Sequence, residues 1–325
     1  MKYRKLGNTG LFISEIAYGS WLTFASQVDL DRAGRIIARA LELGINYIDT
    51  ADVYAKGKAE ELLGRVLPGI ARRQDYVLAT KVYFPMGDGV NDRGLSRKHI
   101  FDSIHASLHR LQQEYVDIYY CHRYDENTPL VETIQAMQDL IHMGKIMHWG
   151  VSQWTADQIA DASSKCKAHG WIPPAVDQPI YSLLNRNIEG RVLSVCENHG
   201  LGVAVFSPLA QGILTGKYSG GTIPDGSRGS IESLNMFMRD HLSDADVLRR
   251  VDRLAEFGKE CNLTAAQIAL AALLQRRDID SLIVGASTPS QLEENVRASG
   301  VNLNPDLFDQ VNELFPGPNQ TPPQT

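Results

Sequence analysis

The chain has 325 residues, 43% hydrophobic and 22% charged, and its net charge of −6 is spread along its length. This is the composition of a globular protein with a large core, and it argues against a nucleic-acid-binding or anionic-membrane surface. No apolar run is long enough to span a bilayer, and the start Met1-Lys2-Tyr3-Arg4-Lys5-Leu6-Gly7 precedes no signal-peptide-like stretch, so no membrane insertion is expected.

The first residues read as a hairpin. Residues 3–6 and 11–13 flank the turn Gly7-Asn8-Thr9-Gly10. A strand over 15–18 leads, after a loop, to a helix over 31–43, where Ile36, Ile37, Ala40 and Leu41 recur at helical spacing before Gly44 stops it. The second strand ends at Asp49 and is followed by a helix over 59–67. The third ends at Lys81, with a helix over 97–111 that Ser96 can cap. The fourth ends near His122. Its helix is expected to run from Thr128, as cap, through Pro129 to residue 143.

The fifth strand spans 146–152 with a helix over 156–169. The sixth spans 175–178 with a helix over 189–199. The seventh spans 202–207 and opens into a long Gly/Pro/Ser-rich loop reaching about residue 234. Helices over 245–260 and 265–275 precede the eighth strand at 281–285, and helices over 289–299 and 305–314 follow it. Residues 316–325 form a Pro- and Gln-rich tail expected to be disordered.

Eight strand–helix units argue for a parallel (β/α)8 TIM barrel, with an N-terminal β-hairpin and extra C-terminal helices. Residues 1–315 read as one barrel domain, since α/β barrels reach this length as a unit. A doubly wound open sheet is the alternative. It usually carries a Gly-rich fingerprint after its first strand, and here that strand runs into Gly19-Ser20-Trp21.

A barrel gathers its active site at the carboxyl ends of its strands. Asp49, Lys81, His122, Ser152, Gln178 and Ser207 stand at those ends, with Ser287 just beyond the eighth strand and Tyr54 in the turn after Asp49. Tyrosine is a weak acid, with a pKa of about 10. A nearby ammonium favours phenolate, so Lys81 is expected to make Tyr54 a stronger proton donor, with Asp49 holding Lys81 and His122 near the phenol or a substrate oxygen. Such a group can protonate an oxygen that turns negative as hydride reaches a carbonyl carbon. Each residue also has a plainer reading: a rim ion pair, a loop histidine, a packed tyrosine. Their joint position at one rim is what favours chemistry.

The four cysteines lie far apart without metal-ligand spacing, so a reduced, cytoplasmic protein without a metal is expected. Cys121 beside His122 is not read as a nucleophile pair, because adjacent strand residues face opposite ways. Gly285-Ala286-Ser287-Thr288-Pro289-Ser290-Gln291 leads from the last strand into a helix, where free N–H groups favour a phosphate. A capping box of Thr288 with Gln291 is the competing reading, and both can hold. Lys217 and Arg228 in the seventh loop can reach a phosphate as cations or be solvated surface charge. Phe206 can face a nicotinamide or pack in the core. Trp21, Tyr83 and Phe84 suggest an aromatic substrate entrance.

Several stretches together resemble the aldo-keto reductase superfamily, in the branch that contains the voltage-gated potassium channel β-subunits and their bacterial relatives. They are Gly44 to Tyr54, Arg93-Gly94-Leu95-Ser96-Arg97-Lys98-His99-Ile100, Leu111 to Asp117, Ser207-Pro208-Leu209-Ala210, and Gly285-Ala286-Ser287 with Gln291, Glu294 and Asn295. The resemblance implies a catalytic tetrad of Asp49, Tyr54, Lys81 and His122, with Tyr54 as general acid and NADP(H) as cofactor. It implies that Ser152 and Gln178 hold the nicotinamide amide, that Phe206 stacks, and that Ser207, Pro208, Leu209, Ala210 and Gln211 pass along the pyrophosphate. Lys217 and Arg228 would sit by the 2′-phosphate. Gly285, Ser287, Gln291, Glu294 and Asn295 would surround the adenine end. Ser20, Trp21, Gln27 and Gln153 match cofactor- or substrate-facing positions.

His122 stands where the channel subunits carry asparagine, and Gln153, Phe206 and Gln211 also depart from their pattern. A reductase of small carbonyl compounds is therefore the first functional expectation. A redox-sensing channel-associated module is the second, and a homo-oligomer, tetrameric or larger, is compatible with either. A metal-dependent barrel hydrolase is the third. It would need ligands at several strand ends, where only His122 and Asp49 are available.

Overall fold

The computed structural model describes residues 1–21, 30–225, 227–231, 235 and 238–318. Two antiparallel strands, β1 (Tyr3–Lys5) and β2 (Phe12–Ser14), form the hairpin. The barrel strands follow: β3 (Ile16–Gly19), β4 (Tyr47–Asp49), β5 (Val77–Val82), β6 (Val116–Cys121), β7 (Ile146–Val151), β8 (Val176–Asp177), β9 (Gly202–Phe206) and β10 (Ser281–Val284). All pair in parallel with their sequence neighbours, and β10 closes on β3, so the eight form one closed barrel.

Alternation along these strands sorts the core into two parts. Tyr47, Val77, Ala79, Ile118, Tyr120, Val176 and Ala204 point inward, where they pack with Leu6 and Ile13 of the hairpin. Ile48, Leu78, Tyr119, Cys121 and Val151 point outward and pack under the helices. The hairpin thus stops the amino-terminal end of the barrel. Gly7 allows the close approach: a Cβ there would lie 2.3 Å from the Gly202 nitrogen, and its φ is +47°. Arg4 secures the hairpin by pairing with Glu15 at 2.8 Å and donating to the carbonyls of Arg276 and Ile279.

The outer helices are α1 (Leu30–Glu42), α2 (Lys58–Ile70), α3 (Arg97–Leu111), α4 (Leu130–His142), α5 (Ala156–His169), α6 (Val192–His199), α7 (Arg239–Ser243), α8 (Ala245–Cys261), α9 (Ala265–Leu274), α10 (Pro289–Val296) and α11 (Pro305–Leu314). In α1, Ile36, Ile37 and Ala40 are buried, as their spacing predicts. Ser96 caps α3 by accepting from the His99 amide. α9 is buried on every side, against α8, α10 and β10, which explains why its residues are apolar all round.

Four local expectations fail for visible reasons. Thr128 does not cap α4, because its hydroxyl donates to Asp125 at 2.7 Å and Pro129 takes the cap position. α6 starts at Val192 rather than 189, because Glu189 is engaged by Arg186 and the Tyr181 hydroxyl in a separate 3-10 turn. α10 ends at Val296, where the Ala298 amide bonds to Asn295 and tightens the chain. The seventh loop also contains 3-10 turns at Ala210–Thr215, Ser219–Gly221 and Arg228–Ser230 and ends in the short α7, none of which its Gly/Pro/Ser content announces. Gln27 and residues 319–325 of the tail lie outside the described residues. No helix among the described residues is long and apolar enough to cross a membrane.

Candidate active site

Ladder bonds running just past the strands set the polar residues at the carboxyl ends. The Ser20 amide bonds to the Asp49 carbonyl, His122 to Val82, Ser152 to Cys121 and Gln178 to Val151. Asp49 and Lys81 both fall on inward positions of β4 and β5, while Thr80 between them in phase faces out and donates to Glu60 on α2. The two inward charges therefore meet inside the rim. Lys81 is fully buried and its Nζ lies 2.6 Å from Asp49 Oδ2, 2.7 Å from the Thr50 carbonyl and 3.2 Å from the Tyr54 hydroxyl.

Tyr54 is carried by a turn in which Ala55, Lys56 and Gly57 all have positive φ, at 51°, 53° and 87°. Left-handed conformations at two non-glycine residues are costly and mark a turn held by its surroundings. Its ring lies 5.9 Å from His122, edge to face, and 6.4 Å from Trp21. Phe84 meets His122 at 5.0 Å and Tyr83 at 5.3 Å, so Trp21, Tyr54, His122, Phe84 and Tyr83 form an aromatic arc over the mouth.

Electrostatics follow from burial. Desolvation, helped by the Asp49 carboxylate, raises the Tyr54 phenol well above its ordinary value, the opposite of the direction expected from Lys81 alone. The phenol keeps its proton across the physiological range. Desolvation also lowers Lys81, with Asp49 opposing. His122 is pushed well below the usual imidazole range by burial and then by Lys81 and Arg123, so it is neutral, and its Nδ1 has no hydrogen-bond partner. Cys121 points away under the helices, and burial raises its thiol far above any reactive range.

Beyond the tetrad the rim opens into a cleft of about 540 Å³ between the ends of β3, β4, β9 and β10. Trp21, Asp49, Tyr54, Phe206, Ser207, Pro208, Leu209, Gln211, Lys217, Arg228, Gly285, Ser287, Gln291, Glu294 and Asn295 line it. Its wall near β9 is built from left-handed residues: Ser207, Ala210, Gln211 and Gly212 have φ of 55°, 47°, 60° and 100°. Gln211 links the wall together, donating to Ser207 Oγ at 2.7 Å and accepting from Arg228 Nη1 at 2.5 Å. Arg228 is half-buried, and burial lowers its pKa. The Lys217 ammonium leans over Gly212, where a Cβ would meet it at 3.2 Å. At the far end Gln291 accepts from both the amide and hydroxyl of Ser287, and Thr288 accepts from the Gln291 amide. Thr288 caps α10, but Gln291 bonds to Ser287 rather than closing the box on Thr288.

Other expected residues stand behind the cleft. The buried Ser20 hydroxyl bonds to Thr50, and Ser152 donates to the Gln178 carbonyl. Gln178 Nε2 donates to Asp49 Oδ1 at 2.8 Å. Ala210 is buried behind the wall. Gln153, with φ of 58°, turns its side chain to the Ile180 amide instead of the rim. Sequence reading overlooked Thr50, whose carbonyl is the third ligand of the Lys81 ammonium, and Gly19, Gly212, Thr215, Asp225 and Ser227 of the cleft wall. A backbone carbonyl leaves no mark in a sequence. Arg123 was also overlooked, although it directly follows His122.

The cleft suits an extended phosphate-bearing ligand. It offers the cations Lys217 and Arg228, a loop wall containing Gly212 and the amino-terminal end of α10, against the carboxylates Asp49, Asp225 and Glu294, of which Asp49 is already paired with Lys81. Residues 15–315 match the Aldo/keto reductase family. The chain is 40% identical over 319 residues to a protein of Arabidopsis thaliana named "Probable voltage-gated potassium channel subunit beta", covering 97% of each chain. It is also 40% identical over 315 residues to a protein of the same name from Oryza sativa subsp. japonica, covering 96% of this chain and 95% of that one.

Proposed function

From the premise that this chain belongs to the Aldo/keto reductase family, a family of oxidoreductases, we propose that it is an NADP(H)-dependent reductase of aldehydes and ketones with Tyr54 as general acid. One observation carries the reading. Lys81 donates to the Tyr54 oxygen while Asp49 and Thr50 fix the ammonium, so the phenolic proton is directed away from Lys81 and remains available to a substrate oxygen.

The residues then act as follows. Asp49 and the Thr50 carbonyl hold the Lys81 ammonium against the phenol. Tyr54 gives its proton to the carbonyl oxygen. Lys81, at 3.2 Å, stabilises the phenolate left behind. His122, neutral, orients the substrate oxygen by hydrogen bonding and does not compete as the acid. The cleft would hold NADPH, whose chemistry when bound would be to supply the hydride. Arg228 and Lys217 would hold its 2′-phosphate, which supports a preference for NADPH over NADH. Ser207, Leu209, Gln211 and Ser287 would line its pyrophosphate and adenosine path, with Gln291, Glu294 and Asn295 at the adenine end. Phe206 would face the nicotinamide, and Ser152 and Gln178 would meet its amide if the Gln178 bond to Asp49 gives way.

The test is NADPH oxidation, followed by absorbance, against aromatic and aliphatic aldehydes, dicarbonyls and ketones, with wild type beside a folded, NADPH-binding Tyr54→Phe. Turnover that disappears with the hydroxyl supports the reading. Turnover that survives it refutes Tyr54 as the acid. A second reading, a redox-sensing module attached to a membrane channel, is supported by the names of the two plant relatives and by the near-full-length match. Tight NADPH binding without turnover, together with co-purification of a channel protein that depends on the bound nucleotide, would favour it. A homo-oligomer is proposed with either reading, and light scattering tests it.

A further inference from the structure

Arg123 follows His122 at the end of β6 and stands beside the tetrad without being part of it. Its Nη1 donates to the His122 carbonyl at 2.5 Å, and its guanidinium sits 5.3 Å from the Phe84 ring centroid. Phe84 in turn meets His122 edge to face. The charge is close enough to lower Tyr54, Lys81 and His122 together. The side chain is half-buried, and among the described residues no carboxylate pairs with it. The nearest acid in sequence, Asp125, is committed elsewhere: it accepts from the amides of Leu95 and Asn127 and from the Thr128 hydroxyl.

A partly desolvated guanidinium is ordinarily offset by an acid in fork-like geometry. Here its described neighbours are a ring and one backbone carbonyl, and its remaining donors have no protein acceptor among the described residues. Locally, Lys81 is balanced by Asp49, whereas the Arg123 charge is unbalanced. The mouth therefore carries a fixed positive charge next to the residue proposed to protonate the substrate. The ring arc of Trp21, Tyr83 and Phe84 beside it suits a flat or apolar spacer.

We propose that Arg123 is a specificity-determining residue that binds an anionic group of the substrate, so that the preferred substrates are aldehydes or ketones bearing a carboxylate on an aromatic or apolar spacer. This deepens the reductase reading and rests on it. The carboxylate would accept two parallel N–H bonds from the guanidinium while Phe84 holds the plane of that group.

The test uses 2-, 3- and 4-formylbenzoate, each beside its neutral methyl ester, with wild type, Arg123→Met and Arg123→Lys. Equilibrium binding is measured by calorimetry on the NADP-loaded protein, and kcat/KM by NADPH oxidation. At least one acid is expected to bind about tenfold or more tightly than its ester, an advantage typical of a charge-assisted bond. Arg123→Met should abolish that acid-to-ester ratio, Arg123→Lys should restore part of it, and added salt should weaken the acid alone. Equal binding of acid and ester by the wild type overturns the proposal. So does an equal loss for both in Arg123→Met, which would assign Arg123 to holding Phe84 and His122. If Arg123→Met does not fold, the wild-type ratio and its salt dependence decide. The proposed reductase fails separately: acids that bind through Arg123 without turnover, alongside unreduced esters, would remove the reaction and leave the anion site.

Discussion

Two parts of the barrel mouth are built on opposite terms. Around β4 and β5 the polar side chains are paired before any ligand arrives: Asp49 with Lys81 and Gln178, and Lys81 with Thr50 and Tyr54. Asp49 and Lys81 lie in the barrel strands, and the Thr50 and Asp52 amides continue the ladder; Tyr54 sits on a left-handed turn of its own but is held at its hydroxyl by Lys81. Around β9 and β10 the groups sit on turns with left-handed residues, and among the described residues the cations Lys217 and Arg228 pair with a ring and a side-chain amide, respectively, and form no ion pair. Proton transfer needs fixed, sub-ångström placement, which strand ends provide. Holding a long anion needs charge and exposed amides, which loops provide.

The sharpest way to break this contrast is to remove the hydroxyl at its centre. Tyr54→Phe should lower kcat for carbonyl reduction by about 10²–10⁴ while leaving the fold intact, because a single placed general acid is worth that much. Steady-state kinetics beside a circular dichroism melt checks both halves. The pH profile sharpens the same point. Burial holds the Tyr54 proton to higher pH and keeps His122 neutral, so kcat/KM for reduction should be flat from about pH 6 to about pH 9. A limb near the ordinary histidine value would show that His122 titrates in the reaction.

Next in size is the buried pair. Lys81→Met strands the Asp49 carboxylate inside the rim and should cost about 3–5 kcal/mol in denaturant unfolding. Adding Asp49→Asn should recover part of that loss, since the uncompensated charge is then gone.

The loop side should respond in binding rather than in folding. Arg228→Ala should weaken NADPH affinity about 10- to 100-fold, the worth of a charged hydrogen bond, and weaken NADH much less. Fluorescence titration with both nucleotides measures this. Equal losses would place the arginine away from the 2′-phosphate.

The smallest effect probes the outer face of β8. Asp177 is fully buried and neither carboxylate oxygen has a hydrogen-bond partner, since the neighbouring Gln178 amide, which could only weakly favour the carboxylate, is given to the Val151 carbonyl; burial raises the Asp177 pKa well above the usual range. Its folded pKa exceeds its unfolded one, so folding takes up a proton. The contribution is fully present below the unfolded pKa, near 4 by the ordinary value, and declines as pH rises toward the folded pKa. Asp177→Asn should therefore gain about 1–3 kcal/mol at neutral pH. It should also flatten the decline in stability as pH rises above the ordinary carboxylate value. Urea unfolding at several pH values decides.

Much of this molecule is local enough to be read from residue order. Ile36, Ile37 and Ala40 repeat at helical spacing and are buried; Ser96 caps α3; Asp49 and Lys81 end short apolar runs. Parallel connectivity then brings those ends to one rim, because each strand is followed by a helix that returns the chain to the other end. Other features depend on neighbours distant in sequence. Thr128 looks like a cap, yet Asp125 takes its hydroxyl; Glu189 looks helical, yet Arg186 and Tyr181 claim it. The rise in the Tyr54 pKa reverses the sign expected from Lys81 alone, since desolvation and Asp49 together outweigh the ammonium. The direction of the Gln153 side chain, the left-handed wall at Ser207 to Gly212 and the unbalanced charge of Arg123 likewise appear only when the barrel closes. Periodicity and capping act over a few residues and are written in the order of the chain. Desolvation and charge balance sum over everything that surrounds a group, and only the folded structure assembles those surroundings.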